Sequence, residues 1–81
     1  MDIDTKNKMF MEYIDDLKFL GAKIPYVHWD VTSDGNIYML WDKMNDELED
    51  KHLQLSDKYV SKLSEFVNQF NLLYQVSDED L

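Results

Sequence analysis

The chain has 81 residues, no cysteine, and 17 acids against eight lysines with no arginine, for a net charge of −9. That length supports one domain, residues 1–81, with a thin core burying about 60–65% of its unfolded surface, and it offers no disulfide or thiolate–metal framework as a staple. The charge repels nucleic acid and anionic membranes, and arginine's bidentate phosphate fork is missing. No apolar run approaches the ~18 residues of a membrane span, and "MDIDTKNKMF" lacks the layout of a signal peptide, so a cytoplasmic protein is expected.

Residues 5 to 20 read as a helix. Met9, Phe10, Tyr13, Ile14, Leu17 and Leu20 follow the spacing of one helical face. Asp4 or Thr5 is expected to cap its start, Gly21 to end it, and Pro25 to forbid continuation.

"YVHWDVTSDGNIYMLWD" follows, with β-branched and aromatic residues flanking Asp34-Gly35, a hairpin signal. A two-residue loop mixes apolar and polar residues on both faces. A three-residue loop, Ser33-Asp34-Gly35, puts the glycine at the left-handed position of a bulged turn. It pairs Val31 with Ile37, Trp29 with Met39 and Val27 with Trp41, which makes one face apolar. A one-residue slip would undo that face, so the second register is predicted. The opposite face carries Tyr26, His28, Tyr38 and Leu40, a partly apolar patch that two helices on the first face would leave bare. Such a patch predicts a homodimer interface.

The segment "WDKMNDELEDKH" then places Asp42, Asp46, Glu47, Glu49 and Asp50 within nine positions, with Lys43 the one base among them. Beyond it, "HLQLS" reads as a short third strand with Leu53 and Leu55 inward, since a lone hairpin is marginal in water. One or two helical turns over residues 45–52 are the alternative. Ser56 is expected to cap a long helix, with Asp57 suited to its N-terminal dipole. Tyr59, Val60, Leu63, Phe66, Val67, Phe70, Leu73 and Tyr74 form its apolar stripe. The tail "SDEDL" reads as short, acidic and frayed. The fold class is α+β, in the order α-β-β-(β)-α, with N- and C-terminal helices flanking a small antiparallel sheet.

The chemistry-bearing patterns are sparse. His28 and Asp30 sit two apart on one strand face, but a metal site needs three or four ligands, and they read as a half-exposed structural pair. His52 is isolated. Counting an EF-hand loop from Asp42 puts Glu47 where glycine is required and Leu53 where glutamate is required, so calcium fails. The two glycines, Gly21 and Gly35, leave none for a phosphate loop, and no nucleophile–histidine arrangement appears. The expectation is a non-enzyme without metal or cofactor.

The acid is concentrated. Residues 27–57 hold eight acids and two lysines. Gathering like charge on a marginal domain costs stability that solubility alone does not demand. Carboxylates without neighbouring bases resemble the charge row of a duplex. In the stretches "DKMNDELED", "SDED" and "HWDVTSDGN", the chain resembles the DNA-mimic inhibitors encoded by bacteriophages. Within that group it is most similar in size and charge to those of Bacillus phages that target the nucleoid protein HU. The resemblance implies a basic, dimeric DNA-binding host partner of the HU type, action in the host bacterial cytoplasm, and no direct nucleic-acid binding. The expected partner contacts are Asp30, Asp34, Tyr38, Asp42, Asp46, Glu47, Glu49, Asp50 and Asp57. The competing expectation is a small adaptor or regulator that binds a partner protein through the Tyr26/Leu40 face, its charge serving solubility alone.

Overall fold

The computed structural model describes residues 1–19, 22–23 and 26–81. It is an α+β fold: helix α1 (Ile3–Asp16), strands β1 (Lys18–Phe19) and β2 (Ala22–Lys23), strands β3 (Trp29–Val31) and β4 (Ile37–Met39), helix α2 (Trp41–Glu49), helix α3 (Asp57–Leu73) and a terminal 3-10 turn (Asp78–Asp80). Among the described residues no helix is long and apolar enough to cross a membrane.

The first helix starts earlier and stops sooner than its apolar spacing predicts. Asp2, not Asp4 or Thr5, is the cap, its carboxylate accepting from the Thr5 N–H at 2.7 Å. Leu17 ends the helix in an extended conformation, its N–H reaching the Tyr13 and Ile14 carbonyls. Asp15 and Asp16 oppose the helix dipole there, and the last turn has no base to offset them. Residues 18–19 pair antiparallel with 22–23 instead of continuing the helix. The expected roles of Leu20, Gly21 and Pro25 fall outside the described residues.

The hairpin has the predicted register. Trp29 lies opposite Met39, Asp30 opposite Tyr38 and Val31 opposite Ile37. Gly35 takes a φ of +88°, and its N–H donates to the Thr32 carbonyl at 3.0 Å. Ile37 and Met39 are buried while Tyr38, between them, is 44% exposed, the period-2 alternation of a half-buried strand. The predicted Val27–Trp41 pair does not form. The ladder's last bond runs from the Leu40 N–H to the His28 carbonyl, and Trp41 opens α2.

No third strand forms at residues 52–56; the alternative reading of helical turns is the nearer one, and the helix is longer than that reading allowed. Trp41, Met44 and Leu48 repeat at i, i+3 and i+7, and burial of Met44 and Leu48 holds α2 in place. Its C-terminus closes with the Leu53 N–H on the Leu48 carbonyl and the His52 N–H on the Glu49 carbonyl, the Schellman pattern. His52 fills the left-handed position, φ +58°, where glycine is usual.

Ser56 caps α3 as expected, its hydroxyl accepting from the Tyr59 N–H. Tyr59, Leu63, Val67 and Phe70 are buried, and Val60, Phe66 and Tyr74 pack beside them, but Leu73 is 74% exposed. The aromatic rings knit α1 to α3 and the sheet. Phe10 stands edge-on to Trp29, with centroids 5.0 Å apart, and to Phe70, 5.2 Å apart. The Trp29 indole N–H donates to Asn7 on α1. Asn71 on α3 bonds both backbone groups of Ile37, accepting from its N–H at 2.9 Å and donating to its carbonyl at 2.8 Å. Among the described residues one charged side chain lies in the core: Lys6, fully buried, donates to the Gly35 carbonyl at 2.5 Å.

Gly35 is irreplaceable on two counts. Its φ suits glycine, and a Cβ there would stand 2.3 Å from Val76 Cγ2. Left-handed strain of ~1–2 kcal/mol and overpacking of ~1–3 kcal/mol put the expected cost of Gly35→Ala at roughly 2–5 kcal/mol in urea denaturation. Adding Val76→Gly, which removes both the Cγ2 and the Cβ that the new methyl would meet, should recover the packing part and leave the strain. A loss below about 1 kcal/mol would mean that the tail is not seated on the turn.

Burial pushes the Tyr59 hydroxyl up to about 12 from an ordinary 10. The fold therefore holds that proton more tightly than the unfolded chain does. The stability this contributes is complete below pH 10 and is lost as pH rises toward 12. Lys6 runs the other way, because burial lowers its pKa and stability rises as pH approaches the ordinary lysine value. Denaturation at successive alkaline pH values should show a steeper loss in the wild type than in Tyr59→Phe; parallel losses would exclude Tyr59 as the source.

Candidate carboxylate surface

Helix α2 organises the acidic run. At 100° per residue, Trp41, Met44 and Leu48 define the buried side, and Asp42, Asp46, Glu49 and Asp50 fall together on the exposed side. Asp42, Asn45, Asp46 and Glu49 of α2 line a shallow concavity of about 470 Å³ together with Gln54 and Leu55. The four carboxylates of that exposed side span ~12 Å of helix axis at ~1.5 Å per residue, about one per 3–4 Å, or roughly half the linear density of a duplex with one phosphate per ~1.7 Å. Among the described residues, Asp42, Asp46, Glu49 and Asp50 have no ion-pair partner. Also among the described residues, no three acids or histidines are placed to hold a metal ion.

The remaining predicted contacts lie elsewhere. Glu47 turns to the opposite flank of α2, where its carboxylate sits 2.8 Å from His28 Nε2, although the ring N–H is not aligned for a hydrogen bond. Asp30 is exposed on β3 and accepts from the Val31 N–H. Asp34 accepts from the Thr32 hydroxyl within the hairpin turn, a turn-building role. Asp57 is exposed in the first turn of α3. None of these four lines the α2 concavity.

The face expected to lie bare is largely occupied. Glu47 meets His28, Lys51 stands 5.4 Å from the centre of the Tyr26 ring, and Leu40 leads directly into α2. Tyr26, His28 and Leu40 are half-buried, and Tyr38 alone of the four is exposed. The cause is α2, which begins at Trp41, expected to pair as strand, and runs through a segment for which one or two helical turns over residues 45–52 were the alternative. Gln54 and Leu55, which border the acidic concavity, were not among the expected contacts. The Trp41/Met44/Leu48 spacing could have revealed this helix and hence the surface it presents.

Comparison with protein-family models, with curated proteins and with solved structures gives no match to this chain.

The helix that carries these acids is electrostatically unfavourable. Asp42/Asp46 and Asp46/Asp50 are like-charge pairs at i, i+4. Glu49 and Asp50 sit at the negative end of the dipole, and the last turn has no base. Combining Asp46→Asn, Glu49→Gln and Asp50→Asn should therefore raise the thermal midpoint by roughly a few degrees. A lower midpoint would show that these carboxylates make stabilising contacts.

Proposed function

We propose that the protein is a non-enzymatic inhibitor that presents the α2 carboxylates to the basic DNA-binding surface of another protein, with a host nucleoid protein of the HU type the favoured target in a bacterial cytoplasm. The supporting observation is the row Asp42, Asp46, Glu49 and Asp50, without ion-pair partners among the described residues, on one side of a helix in which Lys43 is the one base. A solvated surface could have alternated its charges at less cost. Lysine and arginine side chains of a DNA-binding protein would find carboxylates at roughly half the linear density of duplex phosphates, and association would be steered by the net charge of −9.

The test is competition. A HU-type protein bound to a fluorescent duplex should be displaced by this protein, and displacement should weaken steeply as salt rises. Neutralising Asp42, Asp46, Glu49 and Asp50 together should abolish displacement and flatten the salt dependence by roughly one unit of slope per lost contact. Glu47→Gln, on the far flank, should change it by no more than about threefold. A fourfold-neutralised variant that displaces DNA at full strength would reject this surface. Partner binding insensitive to salt would instead favour an adaptor using an apolar face.

A further inference from the structure

Helix α3 carries a second stripe beside its buried one. Ser64, Asn68 and Asn71 follow one another at helical spacing, and Gln75 continues the line just past the helix end. All four are uncharged and able to hydrogen-bond. They form one wall of a trough whose other wall is the hairpin. At the turn end the trough is a concavity of about 590 Å³, bordered also by Asn36, Leu72 and Val76. Asn68 carries it on into a narrower one of about 170 Å³ against Tyr38, Met39 and Trp41. Ser64 to Asn71 spans ~10 Å at ~1.5 Å per residue, room for about three extended residues at ~3.3 Å each, and Gln75 lengthens it.

Asn71 shows what an amide on this stripe does. It accepts from the N–H of Ile37 and donates to its carbonyl, a two-point grip on a peptide backbone. The exposed side-chain amides of Asn36 and Asn68 make no hydrogen bond among the described residues, and Gln75 makes one long bond, 3.4 Å, to the Leu72 carbonyl. Two carboxylates, Asp34 and Asp78, border the turn end, and no base lines either concavity. Lys6 is enclosed behind the turn with its ammonium on the Gly35 carbonyl.

We propose that this trough receives an extended segment of a partner protein, with a lysine or arginine at the turn end and an apolar side chain at the Tyr38/Trp41 end. The amides suit a peptide backbone, since each offers a donor and an acceptor as Asn71 does to Ile37. The carboxylates select the base by charge complementarity and repel any ligand that carries phosphate. They also oppose a second copy of the chain, whose own Asp34 and Asp78 would meet them. Leu72, 71% exposed, offers an apolar surface for the stem of the base. Asn71 already occupies the β4 margin at Ile37, so the segment lies along the amides and does not pair as a strand there. The trough shares no residue with the α2 concavity, and the inference is independent of what α2 binds.

The probe is a library of peptides of about seven residues, long enough to overhang both ends, with one fixed lysine and the other positions random. Peptides selected on the full chain should lose affinity about tenfold when that lysine becomes norleucine, and by a similar factor when a central peptide N–H is methylated. Asn68→Ala and Gln75→Ala should each weaken binding about fivefold, and Asp78→Asn should flatten its salt dependence. All three replace exposed side chains, and circular dichroism should show the helices retained. Neutralising Asp42, Asp46, Glu49 and Asp50 together should change the affinity by no more than about threefold. Peptides that respond to that fourfold change but not to Asn68→Ala or Gln75→Ala would overturn the inference. So would indifference to N-methylation, a selection that yields no binder at millimolar peptide, or a dimer in sedimentation that Leu72→Glu disrupts, which would give the trough to a second copy.

Discussion

The buried ammonium of Lys6 is the contact on which the rest of the architecture hangs. It enters the core from α1 and donates to the carbonyl of Gly35 in the hairpin turn. Desolvation works against its charge, and attraction to Asp34 partly offsets this. A hydrogen bond to a charged donor is worth about 1.5–3 kcal/mol, and losing it would leave a buried cation without a partner. The turn is therefore pinned to the first helix. Further bonds fix its shape: Thr32 N–H to the Asn36 carbonyl, Gly35 N–H to the Thr32 carbonyl, and Asn36 N–H to the Thr32 hydroxyl. A fixed turn fixes the register, which sends Ile37 and Met39 inward. The tail lies over the same turn through Val76, and the N-terminal ammonium holds Asp80 at 3.0 Å.

Helix α2 illustrates a balance of opposing terms. Its start has no side-chain cap, its end places a histidine in a left-handed conformation, and its exposed side carries like charges. Local energetics alone would leave nine such residues unfolded, since isolated helices this short are marginal even with good sequences. Burial of Met44 and Leu48 supplies what is missing, at about 1.5–3 kcal/mol for each fully buried side chain. The acidic side is thus held in helical array by the apolar side of the same helix. That coupling makes a wet surface into an ordered one, with carboxylates at fixed spacing along a rod.

The parts legible in the sequence were those where one physical pattern dominated. Hairpin register followed from the requirement that one face be apolar, and Gly35 from the turn geometry that this register imposes. Ser56 and the stripe of α3 followed from cap chemistry and periodicity, apart from Leu73 at the edge of the stripe. Where two patterns overlapped, the more conspicuous one misled. Five acids in nine positions obscured the Trp41/Met44/Leu48 spacing beneath them. Lys6 was illegible for a related reason. It stands four residues before Phe10 and eight before Ile14, on the buried side of α1, but a lysine there announces burial only when its acceptor, distant in sequence, is known. The acidic surface was therefore readable as composition, while the division of Asp42, Asp46, Glu49 and Asp50 from Glu47 required the helix.

Asn71 carries a consequence for how this molecule behaves in a crowd. A two-stranded sheet exposes backbone donors and acceptors along both outer margins, and such margins template the addition of further strands. On the β4 margin, one side-chain amide satisfies both the N–H and the carbonyl of Ile37, as an added strand would. The β3 margin is blunted differently, by Asp30 folding its carboxylate onto the N–H of Val31. Each margin thus has an outward backbone group already satisfied, which opposes the docking of a further strand at that point. Two polar side chains thereby reduce the tendency of a short, aromatic-rich sheet to recruit further strands at its margins.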